Sequence, residues 1–588
     1  MTFGTLDYKR DDDEDYFVIA ADYETELMIK RLIPSHRNVP LMIRIHPENT
    51  KLVRMVMREY PLEIRTDKWN EALEQINERI KLSEQLVTLD YMEPDTSYFT
   101  GKLLPFQKQA LDFLIKTGGN TLITDEMGLG KTWESLSFVA TKKTFPVIVV
   151  APLVTLTNWK REIERLISLG NTRSDNQQLL FADERREPII SIIRDGKEGQ
   201  LGLADFYLIN YELVAKRLKN LLDLKPIAII YDEIHYLRSP FTKRYFACKS
   251  LSSFETVKHR IGLSGTPIYN KGIEMFNICE IIKAGLLGDA SEFIRRYCYR
   301  WNAEQTSDDG KSALSNILKK SIMIRRKKID VLADLPDKIR MKQTIPIDTE
   351  LYEVELQKLY DRIAITKEQL SMMVEKEEQK DGLFELNKKI REMRIAERQI
   401  AGLAKAPHVV KYMESLLEEY DEEKFVVFCH HRSVHKALVD GLWRYNPVQV
   451  IGGQKDAERQ DAIDRFQTDK NCKVIICGLR AGNLGISLTS SAYVIFAELD
   501  WSPSVHRQAE DRLHRIGQKH KVFAHYLEGL GTFDEIISGI LLNKTVEISN
   551  ALGDKMEHLD NKKALEFLEG KFKVSESPKI AELLISEQ

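Results

Sequence analysis

The stretch TLITDEMGLGKTWESLSF, Thr121 to Phe138, puts an apolar run, two glycines, a lysine and a threonine in that order. That order suits phosphate chemistry. Glycines let backbone N–H groups approach phosphate oxygens, and the N-terminus of the following helix adds a positive dipole. Lys131 can then reach the β and γ phosphates, and the Thr132 hydroxyl can ligate Mg²⁺. Met127, Gly128, Leu129 and Gly130 complete the candidate nucleotide loop. The full phosphate-loop pattern has a glycine where Asp125 stands, which leaves a shortened GxGKT core. A glycine turn that merely caps a helix is the plainer alternative.

Hydrolysis of a phosphoanhydride needs a carboxylate on the metal and a group that activates water. IAIIYDEIHYL supplies both after an apolar run. Asp232 is placed to hold Mg²⁺ through water, and Glu233 to act as general base. His235 follows, with no other metal donors nearby, and is read as a coupling residue. The alternative is an exposed acidic pair after a buried strand. Charge on the transferring group is commonly met by arginine. HRQAEDRLHRIGQ, from His506, offers Arg512 and Arg515, three apart and so on one expected helix face, with Gln508 one turn before Arg512.

Those residues need a scaffold, and the apolar runs describe one. NTLITD, PVIVVAP, DFYLINYE, PIAIIYDEIH and HRIGLSGTP alternate with helical patterns. Strands buried on both faces read as such continuous runs, and helices between them imply a parallel sheet. A second series follows: KFVVFCHH, PVQVIGG, CKVIICG, AYVIFAEL and KVFAHYLEG. The expected fold class is α/β, with two RecA-like parallel-sheet lobes and helical bridging segments. The bridge holds one helical stretch over Thr349 to Val374 and a second from about Leu383 to Leu403. Before the lobes, the segment from Pro40 to Ile64 reads as strand-rich. Lys68 to Leu86 has helical spacing, so a small N-terminal α/β or α+β accessory domain is expected. The acidic run Asp11 to Asp15 reads as a solvated tail. The expected boundaries are 1–95 (accessory), 96–340 (first lobe), 341–405 (bridge), 406–545 (second lobe) and 546–588 (tail).

At 588 residues the chain is too long for one core. Its net charge of -3 means that nucleic acid must be met by a local basic surface. Six cysteines stand without a CxxC pair, so neither structural zinc nor a disulfide framework is expected. No apolar run approaches the roughly 20 residues of a membrane span. With no apolar leader at the start, an intracellular location and no membrane partner are expected.

DEMGLGKT, DEIH, LSGTP and QAEDRLHRIGQ, in that order on two lobes, resemble motifs of the Swi/Snf-type ATPases of helicase superfamily two. The resemblance runs from about Thr100 to Leu530. It implies that Gln107 recognises adenine and that Gly485, in GLRAGNLGISLT around Gly482, joins Gln508 at the nucleotide. It also implies coupling or DNA-contact roles for Trp159, His235, Ser264, Thr266 and Trp501. ATP and Mg²⁺ are the implied cofactors. Duplex or branched DNA, held through its phosphates, is the implied partner. VIFAELDWSPS resembles the annealing-helicase, fork-remodelling branch, whose accessory DNA-binding domains also precede the motor. Trp133 and Ile234 depart from common residues without removing a catalytic group. The expected activity is ATP-driven translocation on duplex DNA, ending in strand annealing, fork regression or branch migration. The alternatives are a motor on protein–DNA complexes, an inactive DNA-binding scaffold and a DNA-independent ATP switch; an RNA helicase would lack RIGQ. The compact motor points to bacterial or phage-infected host cytoplasm, or to the nucleus if eukaryotic.

Overall fold

The computed structural model describes residues 2–11, 14–33, 37–38, 41–170, 185–196, 201–265, 272–299, 302–359, 361, 379–479, 486–535, 537–539 and 541. Thr266, Gly482, Gly485, most of the first bridging stretch and the tail lie outside them. By compactness the chain divides into two units, Met1–Asp125 with Gly130–Arg326, and Glu126–Leu129 with Lys327–Gln588.

Each of the five apolar runs of the first series forms a strand: Asn120–Ile123, Val147–Ala151, Phe206–Asn210, Ala228–Asp232 and His259–Leu263. Their β-branched and aromatic side chains suit a pleated surface packed on both faces. They form the middle of a seven-stranded sheet. Its order is Ile190–Ile193, Phe206–Asn210, Val147–Ala151, Ala228–Asp232, His259–Leu263, Asn120–Ile123, Met323–Ile324, and every pairing is parallel. Parallel neighbours need crossover connections, and helices supply most of them. Helix Lys131–Lys142 starts at Gly130 and stops at Lys143, which turns left-handed at φ +54°. Helix Tyr211–Asp223 is capped by Asn210, whose side chain accepts the Leu213 N–H at 3.0 Å. Val147, Val149, Ile230, Ile261 and Phe138 anchor the core on one face of this sheet.

The N-terminal region differs from its sequence reading in two ways. The acidic run is no tail: Gly4–Asp11 and Glu14–Ala21 form a hairpin, with Asp11 opposite Glu14. Leu6, Phe17 and Ile19 are buried and hold its strands on the core. The strand-rich reading of Pro40 to Ile64 also fails in its centre. Leu41–Arg44 is a strand, but Pro47–Met57 is a helix. Pro47 sits in its first turn, where its missing N–H costs nothing, and Val53 and Val56 face inward three apart. Helix Lys68–Gln85 forms as its spacing predicts.

This small mixed sheet docks on the segment Gly285–Arg296 of the same unit. Arg44 pairs with Asp289 at 2.9 Å, and the Asn49 side-chain amide donates to Glu292 at 2.9 Å. Arg79 donates to the Leu286 carbonyl at 3.2 Å, and the His46 ring lies 3.2 Å from the Gly285 carbonyl. Burial and the nearby Arg79 and Arg296 cations push the His46 imidazole down to about 4, so it is neutral there.

The second unit holds a six-stranded sheet, again parallel throughout. Its order is Lys338–Ile345, Val522–Gly529, Tyr493–Phe496, Phe425–Cys429, Val474–Gly478, Val448–Val450. Helix Gln379–Glu419 runs through Pro407 rather than ending near Leu403. A proline inside a helix costs about 3 kcal/mol. Here Ala406, Val409, Met413, Leu416 and Leu417 bury in the sheet's core and offset that cost. The Lys405 ammonium, also buried, donates to the Leu527 carbonyl at 2.8 Å.

Candidate nucleotide-binding and hydrolysis site

Strand register decides which residues meet. Asp232 is opposite Leu263, and Leu263 is opposite Ile123. The acidic pair and the glycine loop therefore leave the sheet at one level, two strands apart, roughly 10 Å at the usual spacing. The ends of parallel strands are where such sheets place ligands. Between them Leu263 leads into Ser264, a buried residue whose N–H donates to the Ile123 carbonyl at 3.1 Å.

The loop needs its glycines. Gly128 and Gly130 have φ of +87° and +86°, a region open to glycine and strained for other residues. A side chain at Gly130 would also press on the Gln107 amide nitrogen. Gln107 is buried in the first turn of helix Pro105–Lys116, and its side-chain oxygen accepts the Leu104 N–H at 2.9 Å. The Lys131 ammonium donates to the Asp125 carbonyl at 2.8 Å, spanning the loop. Thr132 follows it in the first turn of the helix.

Asp232, at the end of its strand, is partly buried. The Trp159 indole N–H donates to its Oδ2 at 2.9 Å, and the Tyr211 hydroxyl to its carbonyl at 2.7 Å. Burial and the adjacent Glu233 push its carboxyl up to about 6; the Trp159 bond and the Lys131 charge pull the other way. Glu233 adopts φ +51°, ψ +52°, a left-handed conformation uncommon for residues other than glycine. His235 Nδ1 is 3.2 Å from Glu233 Oε2. Trp159 itself is only 1% exposed.

The sequence reading missed a buried charge cluster beneath the loop. Asp125, at the position of the absent glycine, accepts from the Arg326 backbone N–H at 2.9 Å and from its Nε at 2.9 Å. The Arg326 Nη2 reaches Asp125 as well, and Glu134 at 2.6 Å. Burial pushes the Glu134 carboxyl up to about 8. Asp125 in place of glycine, with a basic run at Arg325–Lys328, was the available signal.

In the second unit, one expectation is corrected. Arg512 and Arg515 do not share a helix face, because helix Pro503–Glu510 ends before them. Glu510 and Asp511 are drawn into buried ion pairs at that point. Glu510 takes Arg340 at 2.7 Å and Lys338 at 2.9 Å, and Asp511 takes Lys328 at 2.7 Å. These cations hold both carboxyls below their ordinary range in spite of burial. Arg512 is buried in the turns that follow, its carbonyl accepting the Leu488 N–H at 2.8 Å, and Arg515 Nη1 donates to the Ile486 carbonyl at 3.2 Å. Gln508 is buried on the helix. Trp501 packs edge-on against Phe533 at 5.2 Å. Glu498 is another residue whose role the sequence did not show. It accepts the N–H groups of His430 and His431 at 2.7 and 2.9 Å, at the start of helix Arg432–Gly441.

An open parallel sheet with a phosphate-type loop and a DExH strand end defines a nucleotide-handling lobe, and the chain carries a second parallel sheet of the same class. The sequence matches the SNF2-related domain over residues 106–401 and the helicase conserved C-terminal domain over 408–517. The chain belongs to the SNF2-related family, the Swi/Snf-type branch of helicase superfamily two. It is 30% identical over 495 residues to the DNA annealing helicase and endonuclease ZRANB3 of Bos taurus, covering 81% of this chain and 43% of that one. It is also 30% identical over 468 residues to the SWI/SNF-related matrix-associated actin-dependent regulator of chromatin subfamily A-like protein 1 of Drosophila melanogaster, covering 78% and 57%. The chain thus spans about half the length of these relatives. The Sulfolobus solfataricus SWI2/SNF2 ATPase core in complex with dsDNA aligns at 24% identity and TM-score 0.38, covering 79% of this chain and 100% of that one. No described helix is long and apolar enough to cross a membrane.

Proposed function

We propose that this chain is an ATP-driven translocase on double-stranded DNA that remodels branched DNA by strand annealing, fork regression or branch migration. The observation that carries the reading is the row Asp232, Leu263, Ile123, which sets an acidic pair level with a glycine loop and its lysine. Family membership supports the motor, and the printed name of the Bos taurus relative, an annealing helicase, supports the branched-DNA output.

The residues fit a nucleotide carrying a divalent cation. Among the described residues no three His, Cys, Asp or Glu side chains gather to hold a metal alone. Thr132 and Asp232 are two oxygen donors, so phosphates and water would complete the shell, as Mg²⁺ prefers. Bound ATP–Mg²⁺ supplies the γ-phosphoryl group and its electrophilic phosphorus. Gly128, Gly130 and Lys131 bind the phosphates, Gln107 orients the base, and Glu233 takes the proton of the attacking water. Arg512 and Arg515 meet the charge of the transferring group. The proposed domains are an accessory domain over 1–95, lobes over 96–340 and 406–545, a bridge over 341–405 and a tail over 546–588.

The name of the Drosophila relative, a regulator of chromatin, favours a second reading: a motor that displaces protein from DNA. ATP turnover on equal lengths of single strand, duplex, fork and four-way junction separates the two. Stimulation by forks and junctions above plain duplex supports branched-DNA remodelling. Equal stimulation by every duplex supports the second reading, and turnover indifferent to DNA refutes both.

A further inference from the structure

Arg326, which the nucleotide reading does not use, bonds residues on both sides of the phosphate loop. It lies 201 residues from Asp125 in sequence, just after the edge strand Met323–Ile324. Its backbone N–H and Nε both bond Asp125, the residue before the loop's turn, at 2.9 Å. Its Nη2 bonds Asp125 and Glu134, the latter at 2.6 Å, in the first turn of the helix after the loop. Its Nη1 donates to the Phe106 carbonyl, and the guanidinium lies 5.1 Å from the Phe106 ring centre. Phe106 precedes Gln107, whose amide packs on Gly130. Asp125 in turn offers its carbonyl to the Lys131 ammonium at 2.8 Å. One planar fork therefore ties the loop's entry, its exit and the Gln107 helix. A lysine, a point donor, could not make all these bonds.

We propose that Arg326 is the positioning residue of the phosphate loop, acting on Lys131 through Asp125 and on Gln107 through Phe106. This rests on the nucleotide-binding reading of that loop. Asp125 and Glu134 are fully buried, so without the guanidinium two carboxylates face each other inside the protein. The Asp125 carbonyl then loses its fixed place, and with it the bond it accepts from Lys131. Misplacing a binding group by about 1 Å can cost roughly a hundredfold in rate.

The test uses the full chain with R326K and R326Q. Hydrogen exchange of residues 124–134 is read without nucleotide. Binding of a fluorescent ATP analogue, ATP turnover with DNA, thermal unfolding and DNA affinity are read beside it. R326K is expected to fold, keep its DNA affinity, exchange faster over 124–134 and raise the KM for ATP about tenfold or more, with R326Q worse in each. If R326K exchanges, binds and turns over like the wild type, the proposal is overturned. It is also overturned if both variants fail to fold, since Arg326 is then a structural residue alone. Should the wild type bind no nucleotide, the nucleotide reading fails, and the exchange comparison still decides whether Arg326 orders the loop.

Discussion

Replacing Asp232 by asparagine should stabilise the nucleotide-free protein while removing its hydrolysis. The Asp232 carboxyl is pushed up from 3.8 to about 6 by burial and by the adjacent Glu233. That is about two units, each about 1.4 kcal/mol, so ionised Asp232 costs the folded state about 3 kcal/mol. The sign follows from proton counts. Between the unfolded and folded values the native state holds the proton more firmly, so stability falls as pH rises through that window. At pH 4.5 about 1 kcal/mol of the cost is present, and at pH 8 about 3. Asparagine does not titrate, and its side-chain oxygen still accepts the Trp159 N–H. The advantage of D232N in thermal unfolding should therefore grow by about 2 kcal/mol from pH 4.5 to pH 8, several degrees for a lobe of this size. Mg²⁺ with a non-hydrolysable ATP analogue should reverse the order. Ligand at a hundred times its Kd adds about 2.7 kcal/mol to a protein that binds it and nothing to one that does not. A D232N protein no more stable than wild type at pH 8, or an advantage that does not change with pH, refutes the reasoning.

E233Q should bind ATP with near wild-type affinity and lose turnover; unchanged hydrolysis removes Glu233 from the role of base. With one negative charge gone, E233Q should also flatten the pH dependence just described. R515A should cut DNA-stimulated turnover about 10³-fold or more, as for an arginine that meets phosphoryl charge, and a loss below tenfold assigns Arg515 to structure. G130A should weaken ATP-analogue binding at least tenfold in titration, because an alanine there is held at φ +86° against Gln107; unaltered affinity shows that the loop does not use its glycines.

What the sequence disclosed follows from how each element is buried. The central strands were legible because both of their faces are covered, so Val147–Ala151 and Phe425–Cys429 are apolar without a break. Edge strands were not. Lys338–Ile345 exposes most of its side chains and reads KIRMKQTI, with no apolar run to betray it. Met323–Ile324 has two residues, too few for a period. The phosphate loop and the DExH end were legible because local backbone geometry demands glycine and a strand end demands apolar neighbours. The Trp159–Asp232 bond and the Arg326 fork were illegible, since their partners lie 73 and 201 residues apart and only the folded sheet brings them together. The helix face assigned to Arg512 and Arg515 rested on spacing alone, which cannot foresee that the ion pairs of Glu510 and Asp511 accompany the helix end.

The buried acids of the two units carry the functional argument further than motif spacing does. Asp125 and Glu134 share Arg326, and Glu510 and Asp511 are held down by Lys328, Lys338 and Arg340. In both clusters the protein supplies guanidinium or ammonium groups in direct contact, although burial still pushes the Glu134 carboxyl up to about 8. Asp232 is treated differently. Its direct donor is an uncharged indole, and Lys131 acts on it only at a distance, so burial and Glu233 prevail and the carboxyl is pushed up. Burying a carboxylate short of positive charge costs stability unless something else offsets it. A cation delivered with a substrate would do so, and would draw the Asp232 carboxyl back down on binding. The site is built to be stabilised by what it binds, so removing the Asp232 charge should strengthen the empty protein.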